Sequence, residues 1–129
     1  RTILVLALSI ASVSLSGCAT TTIDYSRRIE GWPDMQTTVT KVTQEEASRR
    51  CRGAEKNKCS NTAGIPTITS CYQWDFDSKR DWIWYSLDSD LEHEWKHHEG
   101  HPHVGEAADT GMQCYFDEWK KRKQDLQRK

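Results

Sequence analysis

The rhythm of apolar and polar positions changes several times along the chain, and each change marks an element. The opening residues, RTILVLALSIASVSLSGC, place one arginine before an apolar run that thins into small residues. A membrane-crossing helix needs about 20 apolar residues, so this run is too short for one and has the layout of a secretory signal. Residues 19–35 are mixed, with Gly31-Trp32-Pro33-Asp34 as a turn signal, and read as a tether. MQTTVTKVT (35–43) is dense in β-branched residues and predicts a strand. TQEEASRRC (43–51) opens with Thr43 and carries Glu46 three residues on, a capping-box pattern for a short helix. RGAEKNKCSNTAG has no period and reads as loop.

IPTITSCYQWDF (65–76) predicts a second strand, with Pro66 suited to its beginning or to an edge. DSKRD is a turn and WIWYSL (82–87) a third strand, which makes a hairpin. DSDLEHEWKHHEG (88–100) is the best-marked helix: Ser89 and Glu92 form a second capping pattern and Gly100 is a natural stop. After a loop, residues 112–129 read as a closing helix, with Met112, Tyr115, Phe116 and Trp119 at helical spacing and a basic, solvated end. Trp82, Trp84 and Trp95 are expected mostly in the core, with one available to line a pocket. The pattern predicts a small α+β domain: a short β-sheet packed on a marked helix and a C-terminal helix.

Composition narrows the function classes. Eighteen basic and 19 acidic residues leave a net charge of −1, which indicates no nucleic-acid or other polyanion partner. The chain has 129 residues and five cysteines. Leu15-Ser16-Gly17-Cys18, at the end of the apolar run, resembles the lipobox of bacterial lipoproteins. That resemblance implies cleavage before Cys18 and a diacylglycerol on its sulfur. Residues 1–17 would be the signal, 18–34 the lipidated N-terminus and tether, and 35–129 the domain. Ala19 stands where an Asp would resemble an inner-membrane retention signal, so the implied address is the outer membrane, facing the periplasm. Export also changes the reading of Cys51, Cys59, Cys71 and Cys114, because an oxidising compartment favours disulfides. Four cysteines allow three pairings. The pairing favoured here is a local Cys51–Cys59 staple with a long-range Cys71–Cys114 bridge. No C-x-x-C pair suggests a cysteine zinc site.

All five histidines fall in LEHEWKHHEGHPH (91–103). His93-Glu94-Trp95-Lys96-His97 is H-E-x-x-H, and residues four apart share one helix face, so two imidazoles can meet one zinc ion. Glu94 sits beside that face, able to reach a metal-bound water without being a ligand. A catalytic zinc needs a third protein ligand. The stretch from His93 to His103 fits H-E-x-x-H-x-x-G-x-x-H, with Gly100 free to turn the chain back. A chance match to these five positions in so short a chain is on the order of one in a hundred thousand. The stretch resembles the zinc-binding signature of the metzincin peptidases. The resemblance implies a zincin-like domain with His93, His97 and His103 as Zn2+ ligands, Glu94 as general base and Gly100 as the turn.

His101 is the rival third ligand, since 93, 97 and 101 would align on a continuous helix; Gly100 and Pro102 argue against that continuation. His98 lies to the side of the zinc face and is expected to be exposed. The resemblance covers about a dozen residues. Met112 is the only methionine after the motif, nearer to His103 than the family's methionine turn, and Tyr115 is offset from the family's assisting tyrosine. For both, packing of the closing helix is the preferred reading. The favoured function is a lipid-anchored zinc metallopeptidase acting on a peptide or protein substrate, which would pair with a sheet edge by strand addition. The alternative is a periplasmic lipoprotein that captures zinc or nickel without turnover. A third reading keeps the fold and leaves the cluster free of metal.

Overall fold

The computed structural model describes residues 22–52, 59, 67–107 and 110–129. The apolar leader and Cys18, most of the expected loop after Cys51, and Ile65 and Pro66 lie outside the described residues. Strand β1 (Gln36–Lys41) leads into helix α1 (Gln44–Cys51). Strands β2 (Ser70–Asp75) and β3 (Arg80–Tyr85) form the expected hairpin. A 3-10 turn over Asp88–Asp90 precedes α2 (Leu91–His98), and α3 (Gly111–Gln127) closes the domain. The result is a small α+β domain with a three-stranded mixed sheet in the order β1-β3-β2. β2 runs antiparallel to β3, and β1 runs parallel to β3, with Thr37 opposite Asp81 and Val39 opposite Ile83.

The period of two divides the sheet into two faces. Ser70 and Tyr72 of β2, Asp81 of β3 and Thr37 of β1 face α2, through contacts with Glu94, His97 and His98. Cys71, Gln73 and Trp84 point the other way, onto α1, where Arg50 stacks 4.4 Å over the Trp84 ring. The core on the α2 face is Ile29, Trp32, Met35, Tyr72, Phe76, Ile83, Met112 and Phe116. Trp82 and Trp84, expected as core, are half-buried on the outer face, and Trp95 is 36% exposed. Trp32 is the fully enclosed indole, edge-on to Trp74 and Phe76.

Three expectations need correction. Residues 22–34 are not a tether in the part described: Ile23, Ile29 and Trp32 are buried against the domain. The cysteines pair Cys51–Cys71 and Cys59–Cys114, not locally. Cys51 ends α1, whose buried face lies on the sheet, so Cys71 is within reach at a Cα separation of 5.7 Å. The Ser89–Glu92 capping pattern gives no cap. Residues 88–90 form the 3-10 turn, and Asp90, at the N-cap, makes no side-chain hydrogen bond to the helix. At α1 the pattern is half formed. Thr43 accepts the Glu46 amide at 3.2 Å, while the Glu46 carboxylate pairs with Arg49 and Arg50. Among the described residues no helix is long and apolar enough to cross a membrane.

Candidate metal centre

Helix α2 presents His93 and His97 one turn apart. It ends in a paired C-terminal motif: the Gly100 amide donates to the His97 carbonyl at 2.9 Å and the His101 amide to the Lys96 carbonyl at 3.0 Å. Gly100 takes φ +93°, and a Cβ there would stand 3.0 Å from Trp32. The turn reverses the chain and returns His103 to the open side of α2. The three Nε2 atoms converge, with His93 to His103 and His97 to His103 at 3.0 Å and His97 to His93 at 3.2 Å. Three nitrogens bound at tetrahedral angles to one zinc at 2.0–2.1 Å would stand about 3.3–3.4 Å apart. The observed triangle is within a few tenths of an ångström of that, and its donor chemistry fits. Three histidines suited to one ion form this group among the described residues.

The surroundings prepare these rings as ligands. The His97 Nδ1 lies 2.8 Å from the His101 carbonyl. A carbonyl only accepts, so Nδ1 carries the proton and Nε2 offers a lone pair to the cluster. Burial holds His97 well below the ordinary histidine value, at about 3, with the neighbouring His103 adding to the effect. Burial and His93 likewise hold His103 at about 4. His93 is also lowered by burial, against the opposing pull of Asp90. All three are therefore neutral near pH 7, the form that binds metal. His97 is buried while His93 and His103 are half-exposed, so the cluster is reachable from solvent on their side.

Glu94 lies on the sheet side of the same helix and is 4% exposed. Ser70 donates to its Oε1 at 2.7 Å. Burial raises its carboxyl to about 7, with Asp90 adding and the Ser70 hydrogen bond opposing. Its oxygens are not part of the histidine cluster. His101 turns away from the cluster: its Nδ1 faces the carbonyls of Arg27 and Asp24 at 2.9 and 3.2 Å. His98 is half-buried, a correction to its expected exposure, and donates to the buried Asp81 carboxylate at 2.5 Å. Met112 is a core residue in the first turn of α3, and Tyr115 packs edge-on to Trp74.

Several supporting residues escaped the sequence reading. Asp81 is fully buried on β3 and accepts from Tyr72 Oη at 2.6 Å as well as from His98, pinning α2 to the sheet. Its signal was available: in RDWIWY, Asp81 shares its face with Ile83, the buried centre of the sheet. Glu106 accepts the His103 amide at 3.1 Å while its own amide donates to the His103 carbonyl. This reciprocal turn fixes the third histidine's backbone. Compared with models of protein families, with curated proteins and with solved structures, the chain matches none.

Proposed function

We propose that the protein is a zinc-dependent hydrolase of the metallopeptidase kind, with a zincin-like arrangement, tethered to a bacterial outer membrane through a lipid on Cys18. The observation that carries the metal reading is the convergence of three neutral imidazole nitrogens within 3.2 Å, beside a buried glutamate one residue from the first of them. A zinc ion held by three imidazoles with a free fourth position supplies a water of lowered pKa and a Lewis acid for a carbonyl. His93, His97 and His103 would hold it. Glu94 has the properties of a proton carrier: it is buried, and it is poised near neutral pH, where a general base works best. It would take a proton from the attacking water and deliver it to the leaving amine. Half-exposure of His93 and His103 leaves the side on which an extended peptide would approach.

The second reading, metal capture without turnover, draws on the same triad. One observation favours it: the Glu94 carboxylate lies on the sheet side of α2, already engaged by Ser70. The readings separate on Glu94→Gln. Both require stoichiometric zinc in the wild type, measured by metal analysis of purified protein. Under the hydrolase reading, Glu94→Gln keeps its zinc and loses peptide cleavage by about 10²–10⁴-fold against a broad peptide library. Zinc-loaded wild type that cuts nothing in that library favours capture, and wild type without stoichiometric zinc removes both readings. The lipid anchor has its own test: Cys18→Ser should abolish lipid labelling and membrane fractionation.

A further inference from the structure

We propose that residues 22–29 act as a strap that holds two of the metal ligands in place, with His101 as the positioning residue that links strap to ligand. This rests on the metal-binding reading of the triad and adds the means by which its geometry is kept. Residues 99–107 carry His103 yet contain no helix or strand of their own, so their conformation is set by what they are bonded to. Those bonds come largely from the N-terminal segment. The Val104 amide donates to the Thr22 carbonyl at 2.7 Å and the Asp24 amide to the Pro102 carbonyl at 2.8 Å, an antiparallel bridge centred on Ile23 and His103. The Ile29 amide reaches the Gly100 carbonyl at 3.0 Å, Arg28 Nε the Glu99 carbonyl at 2.7 Å, and Arg27 Nη1 the Glu106 carbonyl at 3.2 Å.

A second route runs to His97. The strap carbonyls of Asp24 and Arg27 can only accept, so the His101 Nδ1 donates to them. The His101 carbonyl in turn accepts the Nδ1 proton of His97, which orients that ring and fixes its tautomer. Strap, His101 and His97 thus form one hydrogen-bonded chain, and strap and His103 form another. Burial of Ile23 and Ile29 anchors the strap at both ends. Because the two events share these bonds, metal binding and strap docking must favour one another by the same factor.

The test measures zinc affinity by competition with a chromophoric chelator, together with amide hydrogen exchange in wild type with and without zinc. His101→Ala should bind zinc about 10–100-fold more weakly, the usual effect of losing an outer-shell partner. His101→Asn should recover most of that loss. Its amide nitrogen can donate to the same strap carbonyls, whereas an asparagine would not replace a lost imidazole ligand. In wild type, zinc should slow exchange at Asp24 and Ile29 by the same factor as at Ile83 in the sheet, because opening the strap must release the metal just as global unfolding does. Equal affinity of wild type and His101→Ala, or equal weakness of His101→Ala and His101→Asn, overturns the strap. So does zinc that slows exchange at Ile83 while leaving Asp24 and Ile29 unchanged; this arm needs no variant to fold. Wild type that binds no zinc is a different result, which defeats the metal reading itself.

Discussion

Gly100 does two jobs at one position: it ends α2, and it lets Trp32 close over the turn. A side chain there meets both a left-handed φ of +93° and the Trp32 ring base at 3.0 Å. Gly100→Ala should therefore cost about 2 kcal/mol or more in chemical denaturation and should weaken zinc binding, because His103 follows the turn. Glu94 supplies a prediction of opposite sign. Its folded-state value is about 7 against an ordinary 4.5. Between those values the folded protein holds a proton that the unfolded chain has released, so stability falls as pH rises from 4.5 to 7 and stays reduced above. In metal-free protein, Glu94→Gln should raise stability at pH 8 by up to about 3 kcal/mol and change it little at pH 4. Denaturant melts of the chelated protein at the two pH values check this; an equal change at both would mean Glu94 is not held against ionisation. The convergence of His93, His97 and His103 was readable because their spacing is a local geometric fact. Asp81, Ser70 and Glu106 were harder, since an acid or hydroxyl gains its meaning from the partner the fold delivers.

At the scale of elements, most of what could be read locally formed, the Ser89–Glu92 cap excepted, and what depended on long-range pairing could not be read. β-branched density placed β1, and the Thr43 cap started α1. A turn joined β2 to β3 as read, though over residues 76–79 rather than 77–81, because Arg80 and Asp81 belong to β3. The parallel seating of β1 on β3, and the packing of residues 22–34 into the core, leave no period in the sequence. Disulfide pairing was hidden for the same reason, because it reports which elements touch. The two bridges differ in reach. Cys51–Cys71 spans 20 residues and joins α1 to the outer face of the sheet; Cys59–Cys114 spans 55 and joins the middle of the chain to α3. Loop-closure entropy values them at about 3 and about 4 kcal/mol respectively. Replacing Cys59 and Cys114 together by serine should thus lower the melting temperature more than replacing Cys51 and Cys71. Peptide mapping without reduction should recover the two pairs as named.

For the whole molecule, the histidine centre ties stability to pH and, on the metal-binding reading, to zinc. His97 and His103 stay neutral in the fold down to about 3 and about 4, while in the unfolded chain they take up protons near 6.5. The contribution of these rings is fully present above about 6.5 and drains away as pH falls toward 4 and below. Metal-free protein should lose stability on acidification through that range, with thermal melts at successive pH values as the measurement. Zinc at a hundredfold excess over Kd should add about 2.7 kcal/mol near neutrality, and a chelator should remove it. The strap also fixes an order of events in time. Its residues are synthesised before their partners, and the bonds from Arg27 to Glu106 and from Asp24 to His101 close over 79 and 77 residues. Contacts so distant in sequence form late, because the chain between them must first be ordered. On the metal-binding reading, the third histidine reaches its place only once the chain between these contacts is ordered, so uptake of a metal ion would report a completed fold.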